Sequence, residues 1–399
     1  MEETPFQLIS NLKLDQGDPY LDLERIHQKN KPEIFVVPRN IREKNPSAYE
    51  PKMLSIGPIH YGKPHLMPME IHKKRALIHF LRRSGVPVKS YQEKLKAVLT
   101  QVRESYEQVD WMDSWKDDDD FTALMLLDGA FLLEFLSVAR GSQEKWDYAD
   151  LDPVFGREGH KSIKESVEKD LLLVENQLPY MVLHTLLAVS RPADKKETIR
   201  TLLNWLMYSP TNEPGPHLLD VYLKSLVEET TWGSDGIIGR LSASKLHECG
   251  VQFEKAQSYN KVKFDKKTAT LKLPSIIIDQ DTLPTFLNLY AYELRKGVIK
   301  DLNSYIQLIY ILVQSTEDVM LLQSKGIIVN SFSNHEAALE TITRLVKDTG
   351  VDQTCILTSA LKEMDKYYQD KRKGLLPRLC HNLVATFGST FKCGSSRLQ

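Results

Sequence analysis

The segment Asp170-Leu-Leu-Leu-Val-Glu-Asn-Gln-Leu-Pro179 sets a carboxylate and two carboxamides, Glu175, Asn176 and Gln177, inside a run of Leu and Val. Unpaired burial of such groups costs several kcal/mol in rough terms, so they need partners. Desolvation raises the pKa of a buried carboxylate and suits it to act as a general acid, while the amides offer a ligand both donors and acceptors. The same groups serve equally as the polar spine of a core. Asp128 and Glu134 pose the same choice on the apolar run Phe121 to Ala139. They lie six positions apart, roughly 120° around a helix, and so do not share one face. His60 and Tyr61 occupy a proline-rich loop, where function concentrates. Lys74 opens a helical pattern and is a candidate partner for a buried acid. For each of these candidates, packing or backbone hydrogen bonding is the simpler reading, with acid or base chemistry beside it. Asp117 to Asp120 invites a metal reading, yet adjacent residues do not all aim at one ion. An acidic cap at a helix start accounts for them more simply.

Composition narrows the field. The chain has 399 residues with 52 Lys plus Arg against 53 Asp plus Glu, a formal net charge of -1. That balance argues against bulk nucleic-acid binding, which needs a basic face. Cys249, Cys355, Cys380 and Cys393 lack C-x-x-C spacing, so free thiols are expected rather than a disulfide framework, and no metal site is expected. No Walker loop, Gly-x-Ser-x-Gly elbow, His-Glu-x-x-His or spaced Gly-rich dinucleotide turn occurs, and no cofactor is expected. The N-terminus has no apolar signal segment, and no uncharged apolar run reaches about 20 residues. A soluble, cytoplasmic protein is the expectation.

The elements that must position these groups follow from periodicity. Pro46, Pro51, Pro58 and Pro64, with Gly57 and Gly62 among them, exclude a long helix and predict a structured loop. Helices are predicted from Met69 to Gly85, over Ser90 to Trp111, over Phe121 to Ala139 and through Ser162 to Val189, with Pro179 kinking the last or starting a new one. Short alternating pieces between 251 and 279 predict a small antiparallel β-meander. Residues 1–30 read as an arm, 31–208 as a helical core, 217–375 as a second helical lobe carrying the meander, and 376–399 as a basic, polar tail. The fold class is mainly α, a multi-helix globular core with a minor β component.

A set of motifs spans residues 34 to 345 in order. They include Val37-Pro38, Tyr49-x-Pro51, Ser55-Ile-Gly-Pro-Ile-His-Tyr-Gly62, Met69-Glu70 with Lys73-Lys74, and Leu127-Asp-Gly-Ala-Phe131 with Leu133-Glu134. Asp170 to Pro179, Ala243 to Phe253, Ile276-Ile-Ile-Asp279, Asn288-Leu-Tyr-Ala-Tyr-Glu293, Asp318-Val319 and Gly326-Ile-Ile328 complete the series. Together they resemble the plant family known as domain of unknown function 247. The resemblance implies a flowering-plant protein, in a family whose members often carry one C-terminal membrane helix and include grass pollen factors of self-incompatibility. This sequence departs from that pattern after Tyr367, where no membrane span is seen.

Two functions of different class follow. The first is a non-enzymatic interaction or recognition protein, a helical scaffold presenting loops such as 141–159 and 209–216 to a protein partner. The second is a pocket enzyme of plant specialised metabolism, an acid/base cyclase or isomerase acting on a small metabolite. The enzyme requires a closed apolar cavity lined by His60, Asp128 or Glu175. The scaffold requires those groups to be bonded to the protein itself.

Overall fold

A computed structural model describes residues 32–107, 110–139, 147–190, 215–226, 242–256, 262–296, 301–349, 364 and 366–370. The predicted arm 1–30, the first part of the loop 141–159, most of the loop 209–216 and the tail 376–399 lie outside these residues. The described chain is mainly α with small sheets, as its periodicity implies. Its helices are α1 Arg39–Arg42, α2 Met67–Ser84, α3 Val88–Lys96, α4 Leu99–Glu104, α5 Asp118–Ala139, α6 Arg157–Asp170 and α7 Tyr180–Ser190. There follow α8 Leu218–Leu226, α9 Ala243–Glu248, α10 Thr282–Lys296, α11 Asp301–Leu312, α12 Thr316–Ser324 and α13 His335–Thr349.

One hydrophobic cluster forms around α5, which packs against α2, α3 and α7. Its residues Phe121, Met125, Ala130, Phe131, Leu132 and Phe135 are all fully buried, so the helix is apolar around most of its circumference because most of it is covered, with Ala123 left exposed. It is long and apolar enough to cross a membrane, yet 78% of that stretch is buried inside the protein. The helix starts where its acids predict: Asp117 Oδ1 accepts the amides of Asp119 at 2.7 Å and Asp120 at 3.0 Å. Gly129 faces α7, where a Cβ would stand 2.6 Å from Leu186 Cδ1, so the two helices approach more closely than a larger residue allows.

A second cluster gathers α8 to α13 and the strands. Here the predicted meander is corrected. Strands β1 Gln252–Lys255, β2 Lys263–Asp265 and β3 Thr270–Leu273 form one sheet in the order β1-β3-β2, with β1 parallel and β2 antiparallel to β3. Strand β4 Ile276–Ile278 leaves that sheet and pairs in parallel with the distant β5 Ile328–Asn330. Pro274 has no amide to continue the ladder, and buried Ile276 and Ile278 direct β4 into the helical core instead. Alternation located the strands, but it carries no information on which edge each takes.

Two predicted helices are also divided. Ser90 to Trp111 becomes α3 and α4, and the chain then turns so that Ile34 bridges Tyr106. Residues 162–189 become α6, a nine-residue connector 171–179, and α7. Of the two outcomes open to Pro179, a kink or a new start, the structure takes the second, with the new helix beginning at Tyr180. Asn176 Nδ2 donates to the Asp170 carbonyl at 2.9 Å, while Gln177 Nε2 donates to those of Leu171 and Leu173 at 2.6 and 2.8 Å. These side chains satisfy carbonyls released where α6 ends, so the connector is folded although it is not helical.

Gly57 supplies the tightest backbone requirement in the loop. Its φ is +72°, and a Cβ there would lie 2.7 Å from the Gln177 carbonyl oxygen and 2.9 Å from Tyr106 Oη. Gly57→Ala is expected to cost about 2 kcal/mol or more, seen as a lower urea midpoint. An unchanged midpoint would show that the loop repacks freely.

Candidate functional site

The proline-rich segment from Glu50 to Gly62 crosses the molecule without a strand partner, so its buried amides need acceptors from side chains. The end of α6, the connector that follows it, and α5 provide them. Asp170 Oδ1 accepts the amide of Lys52 at 2.9 Å, and Oδ2 accepts those of Met53 at 2.7 Å and Leu54 at 2.8 Å. Asn176 Oδ1 accepts from Ile56 N at 2.7 Å, and its Nδ2 donates to the Leu54 carbonyl at 2.9 Å. Asp128, reaching from α5, accepts Gly57 N through Oδ2 at 2.7 Å. These side chains thereby replace the rungs of an absent sheet, Asp170 alone serving three amides.

The remaining oxygens meet cations. Asp128 Oδ1 lies 2.7 Å from Lys73 Nζ, which also pairs with Glu70 at 2.6 Å, and all three groups are buried. Burial pushes the Asp128 carboxyl up to about 6, against the pull of Lys73. Burial pulls Lys73 down, but Asp128 and Glu70 outweigh it and hold the ammonium above its usual range. Glu175 Oε1 accepts Val37 N at 2.6 Å and pairs with Arg42, while Oε2 lies 3.3 Å from His60 Nε2. Burial pushes the Glu175 carboxyl up, but its contacts with His60 and Arg42 prevail and hold it below its ordinary value of 4.5. His60 Nδ1 faces Glu50 at 3.8 Å, and Glu50 is held in turn by Lys63 and by Arg42. Gln177 Oε1 accepts Leu219 N at 3.0 Å, tying the connector to α8. Glu134 stands apart, paired with Arg83 and accepting the Tyr148 hydroxyl at 2.9 Å.

Two sequence candidates lie elsewhere. Tyr61 and Lys74 line an open cleft of about 780 Å³ between the proline-rich loop, α2, α3 and the start of α5. Its wall includes Pro58, Leu77, Val88, Trp115, Asp120 and Leu124, and it contains none of His60, Asp128, Glu175, Asn176 or Gln177. Tyr61 and Trp115 meet edge to face at 5.1 Å. The loop is therefore two-sided: Ile56, Gly57 and His60 turn into the buried network, while Pro58, Ile59 and Tyr61 turn out to the cleft.

The expected pairing of Lys74 with a buried acid is corrected, because Lys73 fills that role and Lys74 is exposed. Helical phase was the signal that could have separated them. Lys73 shares a face with Met69, Ala76 and Phe80, all buried, whereas Lys74 falls in line with exposed Ile71 and Ile78. Arg42, Glu50, Asp170 and Asn288 were missed as members of the network. Asn288 accepts Val174 N at 3.0 Å and donates to the Ala48 carbonyl at 2.7 Å, a pairing that no local spacing reveals. Among the described residues no group of three His, Cys, Asp or Glu side chains suits a metal.

The profile of DUF247, described as a plant protein of unknown function, matches residues 34–393. The chain is similar to the UPF0481 protein At3g47200 of Arabidopsis thaliana, 28% identical over 387 residues covering 86% of this chain and 78% of the relative. It is also similar to the putative UPF0481 protein At3g02645 of the same plant, 22% identical over 513 aligned positions covering 97% of this chain and 90% of the relative. No solved structure matches.

Replacing Asp170 with Asn removes one acceptor oxygen and sets an amide group against backbone donors. A loss of about 3 kcal/mol in unfolding free energy is expected, against less than about 0.5 for the exposed Asp119→Asn. Glu175 carries a pH signature. Its folded pKa lies below 4.5, so its contribution to stability is present above that pH and is lost as pH falls through the folded value. Glu175→Gln should lower the urea midpoint at neutral pH, with the gap between parent and variant closing as pH falls below the depressed value of Glu175. A constant gap across that range would contradict the assignment.

Proposed function

The chain belongs to DUF247, the plant family of unknown function, and on that premise we propose that it is a non-enzymatic recognition protein whose binding face is the open cleft beside α2. One observation carries the reading. The buried acids Asp128, Asp170 and Glu175 are all committed to backbone amides or protein cations, so none is left free to exchange a proton with a substrate. A pocket enzyme of the expected kind would bring His60, Asp128 or Glu175 to a cavity wall, and the cleft lacks all three. What the cleft offers is recognition chemistry: an aromatic pair, an aliphatic floor and isolated charges on an open rim. Large aromatic and aliphatic groups left accessible together are a feature of binding surfaces.

A photo-crosslinking amino acid in place of Ile71, beside the cleft, should yield a discrete adduct in plant extract. The same probe in place of exposed Lys161 on α6 should not, and Tyr61→Asp should weaken the Ile71 adduct. Identical adducts from both positions, or none from position 71, would contradict the recognition reading.

A further inference from the structure

We propose that the cleft and the adjoining face of α2 receive an amphipathic helix from a partner protein, with one acidic residue on its apolar face set against Lys74. The inference rests on the recognition reading and names the occupant. Met67, Ile71, Lys74 and Ile78 succeed one another at intervals of four, three and four residues, so they form one row along α2. Ile71 is 64% exposed and Ile78 48%, although both are large aliphatic side chains on a helix whose opposite face is buried. The row runs for about 16 Å, three turns of helix. Met67, Ile71 and Ile78 lie outside the cleft lining, so a small molecule filling about 780 Å³ would leave them bare. An elongated apolar partner covers cleft and row together, and a helix laid in a groove presents anchors with matching periodicity.

The charge demand comes from Lys74. On the same helix Lys73, Arg75 and Arg83 all hold carboxylates of the protein. Lys74 pairs with none among the described residues, and it sits between Ile71 and Ile78 where an apolar partner would cover it. Covering an ammonium without a counter-charge is costly, so the fitting partner brings a carboxylate to that point. Asp118 and Asp119 at the start of α5 are engaged by Arg103 and Lys96, which leaves Asp120 as the carboxylate on the cleft wall. It disfavours an acid there and fixes the partner's acid on the α2 side.

The test uses the full chain and two fluorescent, stapled helices of about 15 residues, built from Leu and Ala with a central Glu or a central Lys on the leucine face. The Glu helix is expected to bind at least tenfold more tightly than its Lys twin. In Lys74→Glu the order should reverse, and Ile71→Asp should weaken both. Asp120→Asn should bind the Glu helix at least as tightly as the parent does. Equal binding of the two helices, or a preference unchanged in Lys74→Glu, overturns the proposal. If neither helix binds a chain that still yields the position-71 adduct, the acidic-helix occupant falls and the recognition reading stands. Loss of both results removes both.

Discussion

Backbone amides buried outside any sheet or helix are the constraint on which the rest of this structure depends. The chain enters at exposed Lys52 and half-buried Met53 and is buried from Leu54 to Gly57, and proline at 51 and 58 flanks the segment. Leaving each amide unpaired would cost about 1–3 kcal/mol, enough in sum to erase the stability of a typical domain. Asp170, Asn176 and Asp128 supply the missing acceptors. Burying their charge is itself unfavourable, as the raised carboxyls of Asp128 and Asp170 record. The hydrogen bonds, with Lys73 beside Asp128, compensate for that cost.

Because Asp170 ends α6 and Asn176 follows it in the connector to α7, this one network also joins the two hydrophobic clusters. Glu175 holds Val37, Gln177 holds Leu219, and Asn288 on α10 holds both Val174 and Ala48. Leu172 and Tyr222 pack against both clusters around the same point. Fixing the inner side of the loop fixes its outer side too. Once Gly57 and His60 are held inward, Pro58, Ile59 and Tyr61 are presented to the cleft, where Tyr61 rests against Trp115. The buried polar groups thus position the cleft surface without lining it themselves.

Much of this was legible in residue types. Acids in apolar runs had to find partners, Pro179 had to kink a helix or begin one, and Asp117 to Asp120 read as a helix cap. Motif order alone identified the family resemblance. Less legible were the partners, because Asp170 and Lys52 are distant in sequence and hydrogen bonds between them leave no periodic trace. The choice between Lys73 and Lys74 was decided by one residue of helical phase. Strand order at 252–278 was decided by Pro274 and by a partner strand some fifty residues onward, neither of which alternation reports. The cleft itself was invisible, since it exists only where the loop, α2, α3 and α5 converge.

Hydrogen exchange at the amides of Lys52, Met53, Leu54, Ile56 and Gly57 tests the central claim most directly. If side-chain acceptors fasten this loop as a sheet would, these amides exchange as slowly as those in the middle of α5, through global unfolding. Exchange at the rate of an open surface loop would show that the network does not hold the segment, and the account would fail at its foundation.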